Sequence, residues 1–219
     1  MPFTRRTALR AGTTGLVLLA GCSEETEPTT TSTTGTPGGP VTFTDGFEDG
    51  GDWTTDASMG SDACDEFQWM IERSDERARS GSYGLRVFTE GRYDDGTAWA
   101  TTSIEIENRA YDAEASVWAW SESESFNTLR HLVARLARDR PEVEEDFPEP
   151  NTNTSENPDA PVGGLREPLH RAEGWEEYRF RWRVPAGEGP LYFSAGVSVV
   201  WESDILHFLD DVEVRLTPR

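Results

Sequence analysis

Between residues 178 and 184 polar and apolar positions alternate without a break. Tyr178, Phe180, Trp182 and Val184 are apolar, Arg179, Arg181 and Arg183 lie between them, and Pro185 closes the run. Successive side chains of a strand point to opposite faces, so this segment predicts a β-strand with one apolar and one cationic face. Residues 112–120 alternate on another plan: Ala113, Ala115, Val117 and Ala119 share one side, Glu114, Ser116, Trp118 and Trp120 the other. Reading the small side as core leaves both tryptophans on the opposite face. The converse, with the tryptophans as core, has equal standing in the pattern, since sandwiches often bury Trp. Leu206, Phe208, Val212 and Val214 predict a further apolar face, with Asp210 in register among them and aimed inward. Val87, Trp99, Ile104 and Ile106 mark two more strands, and residues 191–201 a long apolar one. Residues 129–136 fit two periods. Leu129, Leu132, Val133 and Leu136 have helical spacing, Leu132, Ala134 and Leu136 strand spacing, and the strand-rich surroundings favour the strand.

Roughly eight to ten strands without a convincing amphipathic helix predict an all-β fold, an antiparallel β-sandwich of the jelly-roll kind. The predicted domain covers residues 41–219, long enough to bury one core. Within it, residues 141–164 are rich in Pro, Glu, Asn and Asp and read as a flexible insertion with little structure of its own. Asn153-Thr154-Ser155 is the one N-glycosylation sequon, which places that loop at the surface. Ahead of the domain, residues 23–40 contain no large apolar residue and predict a disordered tether, with the Thr/Ser composition of an O-glycosylated stalk.

Charge changes the setting. Asp and Glu number 41 against 20 basic residues, all of them arginine, for a net charge of −21. Self-repulsion on that scale is screened where the Debye length falls to about 3 Å, near 1 M salt, so the composition reads as adaptation to brine. Eight Trp, ten Phe and five Tyr are too many for a chain that never packs, so disorder is confined to the flanks. The acidic field argues against nucleic acid as a partner.

The N-terminus carries an address. Arg5 and Arg6 precede an apolar stretch, residues 11–20, too short to span about 30 Å of hydrocarbon. The pattern resembles a twin-arginine export signal. Leu19-Ala20-Gly21-Cys22 resembles a lipobox, in which the cysteine receives a diacylglyceryl group as the signal is removed. The expected division is therefore signal at 1–21, lipidated Cys22 with its linker to 40, and the domain beyond, held on the outer face of the cytoplasmic membrane. Cys64 then has no disulfide partner.

Motifs recur in an order of their own: Gly46-Phe47-Glu48-Asp49-Gly50 and Trp53, residues 80–87 (SGSYGLRV), Tyr111 ahead of residues 115–119 (ASVWA), residues 175–178 (WEEY), and residues 209–214 (LDDVEV). That order is similar to the carbohydrate-binding-module group of galactose-binding-domain-like jelly rolls, over nearly all of residues 41–216. The resemblance implies a structural calcium ion tying the first strand to the last, held here by Glu48, Asp210 and backbone carbonyls near Ser80 and Ser82. An ion pair or cap for Asp210 is the competing reading, since an inward carboxylate needs a partner of some kind. The resemblance also implies a carbohydrate partner. Sugars stack on aromatic faces while polar groups fix their hydroxyls. Trp118 and Trp120 are the first candidates, Arg179 and Arg181 suit uronate or sulfate if they share the open sheet, and Trp201 is a second candidate.

Catalysis is not expected. His131, His170 and His207 show no zinc-ligand spacing, and no nucleophile elbow, phosphate loop or dinucleotide fingerprint occurs. Residues 192–197 (YFSAGV) faintly resemble a strand of jelly-roll polysaccharide lyases, but the only glutamine is Gln68 and no proton-transfer set is visible. The expected product is a monomeric, non-catalytic, carbohydrate-binding module of the cell surface; an adhesion module that binds protein is the alternative, and a lyase a more remote one.

Overall fold

The computed structural model describes residues 29–59, 68–90, 96–122, 130–169, 174–199 and 204–219. The signal, Cys22, Cys64, His170 and Trp201 lie outside these. The described strands are β1 (Ser32–Gly35), β2 (Val41–Asp45), β3 (Thr54–Met59), β4 (Trp69–Ser74), β5 (Gly84–Thr89), β6 (Gly96–Ile104), β7 (Tyr111–Ser121), β8 (Arg130–Ala137), β9 (Thr152–Asn153), β10 (Gly163–Pro168), β11 (Glu176–Val184), β12 (Leu191–Val199) and β13 (Ile205–Pro218). They form two antiparallel sheets packed as a β-sandwich of the jelly-roll kind. In the first sheet β13 is the hub. Its first half pairs with β5, which carries β4; its second half pairs with β2, which carries β1; β7 runs along its other edge and carries β11. The second sheet runs β3-β6-β12-β8-β10-β9. No helix among the described residues is long and apolar enough to cross a membrane.

The core lies between the sheets and is built by the two alternations read from the sequence. Tyr178, Phe180, Trp182 and Val184 of β11 and Tyr111, Ala113, Ala115, Val117 and Ala119 of β7 all point inward. Leu132, Leu136, Leu165, Leu191 and Phe193 meet them from the second sheet. Each such side chain, fully buried, contributes about 1.5–3 kcal/mol. Residues 130–137 are a strand, β8, paired on both edges by β12 and β10. With both faces covered, β8 carries no clean alternation, which is why its sequence also fits a helix.

Three expectations change. First, Asp210 does not face the core. β13 takes one more residue than β7 between the pairs Asp210–Trp118 and Glu213–Ser116, and Asp211 has φ of 44°. This β-bulge flips the alternation: Leu209 is the core residue before it, Val212, Val214 and Leu216 after it, while Phe208 and Asp210 share the outer face with their partners Trp120 and Trp118.

Second, the tether is not irregular throughout. Ser32–Gly35 pairs with β2, and Ser32 Oγ meets Thr44 Oγ1 at 3.0 Å. Thr36-Pro37-Gly38-Gly39 makes the turn: Gly39 N donates to Thr36 O at 2.8 Å and Gly38 has φ of 75°. Proline at the second position and a positive-φ glycine at the third are the requirements of a type II turn.

Third, the insertion has structure of its own. It forms a strap that includes a 3-10 turn at Glu144–Asp146 and the short β9. Pro158 O accepts from Arg183 N at 2.8 Å, and Ala160 O accepts from the Trp182 indole at 2.8 Å. The sequon asparagine is tied in as well, since Asn153 Nδ2 donates to Glu167 Oε1 at 2.6 Å and to Arg179 O at 2.8 Å. A glycan on Nδ2 would remove one of these bonds. The peptide spanning Asn153 is therefore expected to carry no sugar in the mature protein; an occupied site by intact-peptide mass would contradict this geometry.

Candidate functional site

The outer face of the first sheet collects most of the residues singled out by sequence. Alternation along β7 turns Trp118 and Trp120 away from the core, where both are half-buried. Register places Glu177 beside Trp118, Arg179 beside Ser116 and Arg181 beside Glu114. Arg179 and Arg181 are thus on the same open sheet as the tryptophans, with 59% and 68% of their side chains exposed. Arg179 Nη2 bonds both Glu177 oxygens at 2.7 and 2.8 Å, and this hydrogen bond, then the Glu177 charge, raises the guanidinium's pKa above its ordinary value. Arg181 lies 3.5 Å from Glu114.

Two arginines invisible to sequence reasoning complete the surface. They come from the connection between β4 and β5, which crosses over this face. The guanidinium of Arg77 sits 3.6 Å above the Trp120 ring, and that of Arg79 sits 3.6 Å above Trp118. Trp120 also meets Phe208 edge-on at 5.9 Å. Two stacked pairs, Arg77 on Trp120 and Arg79 on Trp118, therefore share the face with the exposed arginines of β11. The nearest signal in the sequence was the arginine-rich run Arg73, Arg77, Arg79, but only topology brings it over β7.

The same connection meets the predicted metal residues. Asp210 Oδ2 accepts from Arg79 N at 2.7 Å and Ser80 N at 3.1 Å, and Oδ1 accepts from Asp211 N at 2.7 Å. Glu48 Oε1 accepts from Ser82 N at 2.8 Å and Tyr83 N at 2.9 Å. Glu48, Ser80, Ser82 and Asp210 are thus gathered on one five-residue span, residues 79–83. Asp211 holds the Arg79 guanidinium at 2.5 Å and the Ser80 hydroxyl at 2.7 Å, so the clamp also sets Arg79 over Trp118.

Ser80 and Ser82 present N–H groups, not carbonyls, to these carboxylates, so a cation would have to share the oxygens with the bonds already made. Asp210 is fully buried, and burial first, then the Asp211 charge, pushes its carboxyl up to about 7 against the three N–H bonds that oppose the rise. A divalent ion would relieve both causes. The set is small: among the described residues no three His, Cys, Asp or Glu side chains converge as ligands, so carbonyl oxygens would have to supply the rest.

No family model and no curated protein matches this sequence. Solved structures are similar to it. A family 61 carbohydrate-binding module, solved with β-1,4-galactotriose, is 13% identical, covering 77% of this chain and 92% of that one with a TM-score of 0.46. A family 22 xylan-binding domain from Paenibacillus barcinonensis is 12% identical, covering 80% and 94%, with a TM-score of 0.42. The C-terminal family 22 module of a Clostridium thermocellum protein is 15% identical, covering 80% and 92%, with a TM-score of 0.40. At these identities the likeness is one of strand arrangement.

Proposed function

We propose that this protein is a non-catalytic, carbohydrate-binding module of the cell surface, exported through its twin-arginine signal and anchored by lipid at Cys22. The arrangement on the outer face of the first sheet is the observation that carries the reading. Trp118 and Trp120 are half-buried under Arg79 and Arg77 and offer sugars the ring surface those guanidiniums leave open, or all of it once a ligand displaces them. Arg179 and Arg181 offer charge-assisted donors to hydroxyl, carboxylate or sulfate groups. The order of motifs in the sequence supports the same class of ligand. The high acidic charge makes molar salt the proper medium for the interaction.

Trp118→Ala with Trp120→Ala is expected to abolish retention on immobilised glycans in molar salt while leaving a cooperative melt. Unchanged retention would remove this face from the site. Binding to a cell-surface protein, with no glycan retained by the parent, would favour the adhesion reading.

In the same proposal Glu48, Asp210 and carbonyls near Ser80 and Ser82 hold a structural calcium ion, whose part is to neutralise the buried Asp210 carboxylate and fix the loop that carries Arg77 and Arg79. Calcium that binds only the folded state stabilises it by about 2.7 kcal/mol at a hundredfold excess over Kd. The melting midpoint should rise with calcium and fall with chelator; a midpoint indifferent to both would leave the clamp to its N–H bonds alone.

A further inference from the structure

The second sheet also has an outer face, and it is closed. Thr97 and Trp99 of β6, Val133 and Arg135 of β8, Arg166 of β10 and Ser198 of β12 all point away from the core, yet every one is buried. The strap covers them. Phe147 lies edge-on to Trp99 at 5.3 Å, with Val133 beside it. Glu144, 7% exposed, reaches down into the polar part of the face. Its Oε1 accepts from Arg166 Nη2 at 2.6 Å, its Oε2 accepts from the Thr97 hydroxyl at 2.6 Å, and Arg166 also donates to Ser198 Oγ at 2.7 Å.

This is an unusual composition for a surface whose only task is to hold a covering segment. A buried ion pair is commonly no better for stability than apolar residues of the same volume. The pair is also incompletely made. Arg166 grips Glu144 through one terminal nitrogen, and its Nε has no partner; on the neighbouring strand Arg135 holds Asp139 through both terminal nitrogens, at 2.6 Å to its carbonyl and 2.8 Å to Oδ2, and likewise leaves its Nε without a partner. Guanidinium and carboxylate prefer two parallel bonds, and an orphaned buried donor is costly. At Arg166 the face could thus take a two-bonded carboxylate where the strap delivers a one-bonded one. At the end of the strap a cleft of about 580 Å³ opens among Arg138, Asp139, Arg140, Glu142, Asp146 and Tyr192, so the strap's edge at Glu142 and Asp146 borders solvent.

We propose that the outer face of the second sheet is a binding site for a carboxylate-bearing sugar chain of the hexuronate type, and that the strap is its built-in occupant. Glu144 takes the position of the sugar carboxylate against Arg166, Thr97 and Ser198, and Phe147 covers Trp99 where a sugar ring would stack. Ligand and strap exclude one another, so the apparent affinity is the intrinsic one multiplied by the fraction of time the strap is unseated. This site is separate from the Trp118 face, and each survives the loss of the other.

The test uses trigalacturonate, with neutral galactotriose as control, in molar NaCl. In the unmodified protein, trigalacturonate should accelerate hydrogen exchange at Asp146 and Phe147, whose amides are bonded within the strap to Val143 O and Glu144 O. Glu144→Gln with Phe147→Ala should bind trigalacturonate about tenfold more tightly than the parent, and Arg166→Met in that background should abolish the gain. Trp118→Ala with Trp120→Ala should leave all three results standing, whatever it does to retention of other glycans. Strap exchange indifferent to trigalacturonate, with no tightening in the double variant, overturns the proposal. Should the double variant fail to fold, the exchange measurement on the unmodified protein decides alone.

Discussion

Trp182→Ala is expected to cost about 3–5 kcal/mol, the range for removing a large aromatic side chain from a core. Trp182 is 2% exposed and lies among the inward residues of β11. Its neighbourhood has no room to collapse into the space vacated, because the strand opposite is already at contact. A Cβ placed on Gly163 would come within 2.6 Å of the Trp182 Cβ, so that glycine exists to let β10 approach. The indole also donates to Ala160 O at 2.8 Å, which pins the base of the strap. Against a total stability of about 5–15 kcal/mol, such a loss takes a third or more of the margin. Denaturant unfolding in molar salt would measure it. Trp182→Phe, which keeps most of the volume but drops the hydrogen bond, should lose only about 1 kcal/mol from that bond. A loss below about 1 kcal/mol for the alanine variant would mean that the sheets close over the gap, contrary to the packing described.

A second large effect is acid sensitivity from His207. The ring is fully buried on β13, and burial first, then the nearby Arg130 charge, holds its pKa well below the ordinary 6.5. Arg130 Nη1 stands 3.0 Å from Nε2, so Nε2 is the acceptor and Nδ1 carries the proton, with no partner. In the unfolded chain the imidazole takes up a proton below pH 6.5; in the folded chain it does not. The unfolded state therefore binds more protons in that range, and the stability from this group is fully present above pH 6.5 and lost as pH falls. The slope approaches about 1.4 kcal/mol per pH unit. His207→Gln keeps an acceptor for Arg130 and removes the titration. The difference in stability between parent and variant should be flat above pH 6.5 and shrink steadily below it. A difference that stays constant from pH 8 to pH 4.5 would contradict the assignment.

The parts of the fold that a sequence can show are those where alternation is uninterrupted. β11 and β7 were legible because each has one face against the core and one against solvent, so the period of two survives in composition. That same pattern put Trp118 and Trp120 on one face without deciding which, and the structure makes it the outer one, shared with Arg179 and Arg181. Asp210 was misplaced for a definite reason: one extra residue in β13, marked only by the positive φ of Asp211, reverses the faces, and Asp-Asp-Val carries no sign of it. Glu48, Ser80, Ser82 and Asp210 still came together, because motif order reflects topology even where a facing is wrong. Arg77 and Arg79 were missed because their role depends on a connection crossing a strand far away in sequence. The strap was misread because its few anchoring residues, Glu144, Phe147 and Asn153, are dispersed among Pro, Asp and Glu that do make a mobile-looking segment. β1 had a usable signal, the Pro-Gly turn at 37–38 after a run of β-branched threonines, which composition alone hid.

The pairing of β1 with β2 has a consequence for how high the body stands. Counting the whole Thr-rich run as rope would give residues 23–40, or some 60 Å at about 3.3–3.6 Å each. Because Ser32–Gly35 is stitched into the sheet and Gly46 N donates to Thr29 O at 2.8 Å, at most residues 23–28 separate Cys22 from the body, a span of at most about 22 Å. Were Cys22 anchored in the bilayer as proposed, the sandwich would be moored low, within reach of polymers that hug the membrane and out of reach of those that end far above it. Its acidic bulk would then sit beside any anionic headgroups, a position comfortable in brine and strained in dilute buffer.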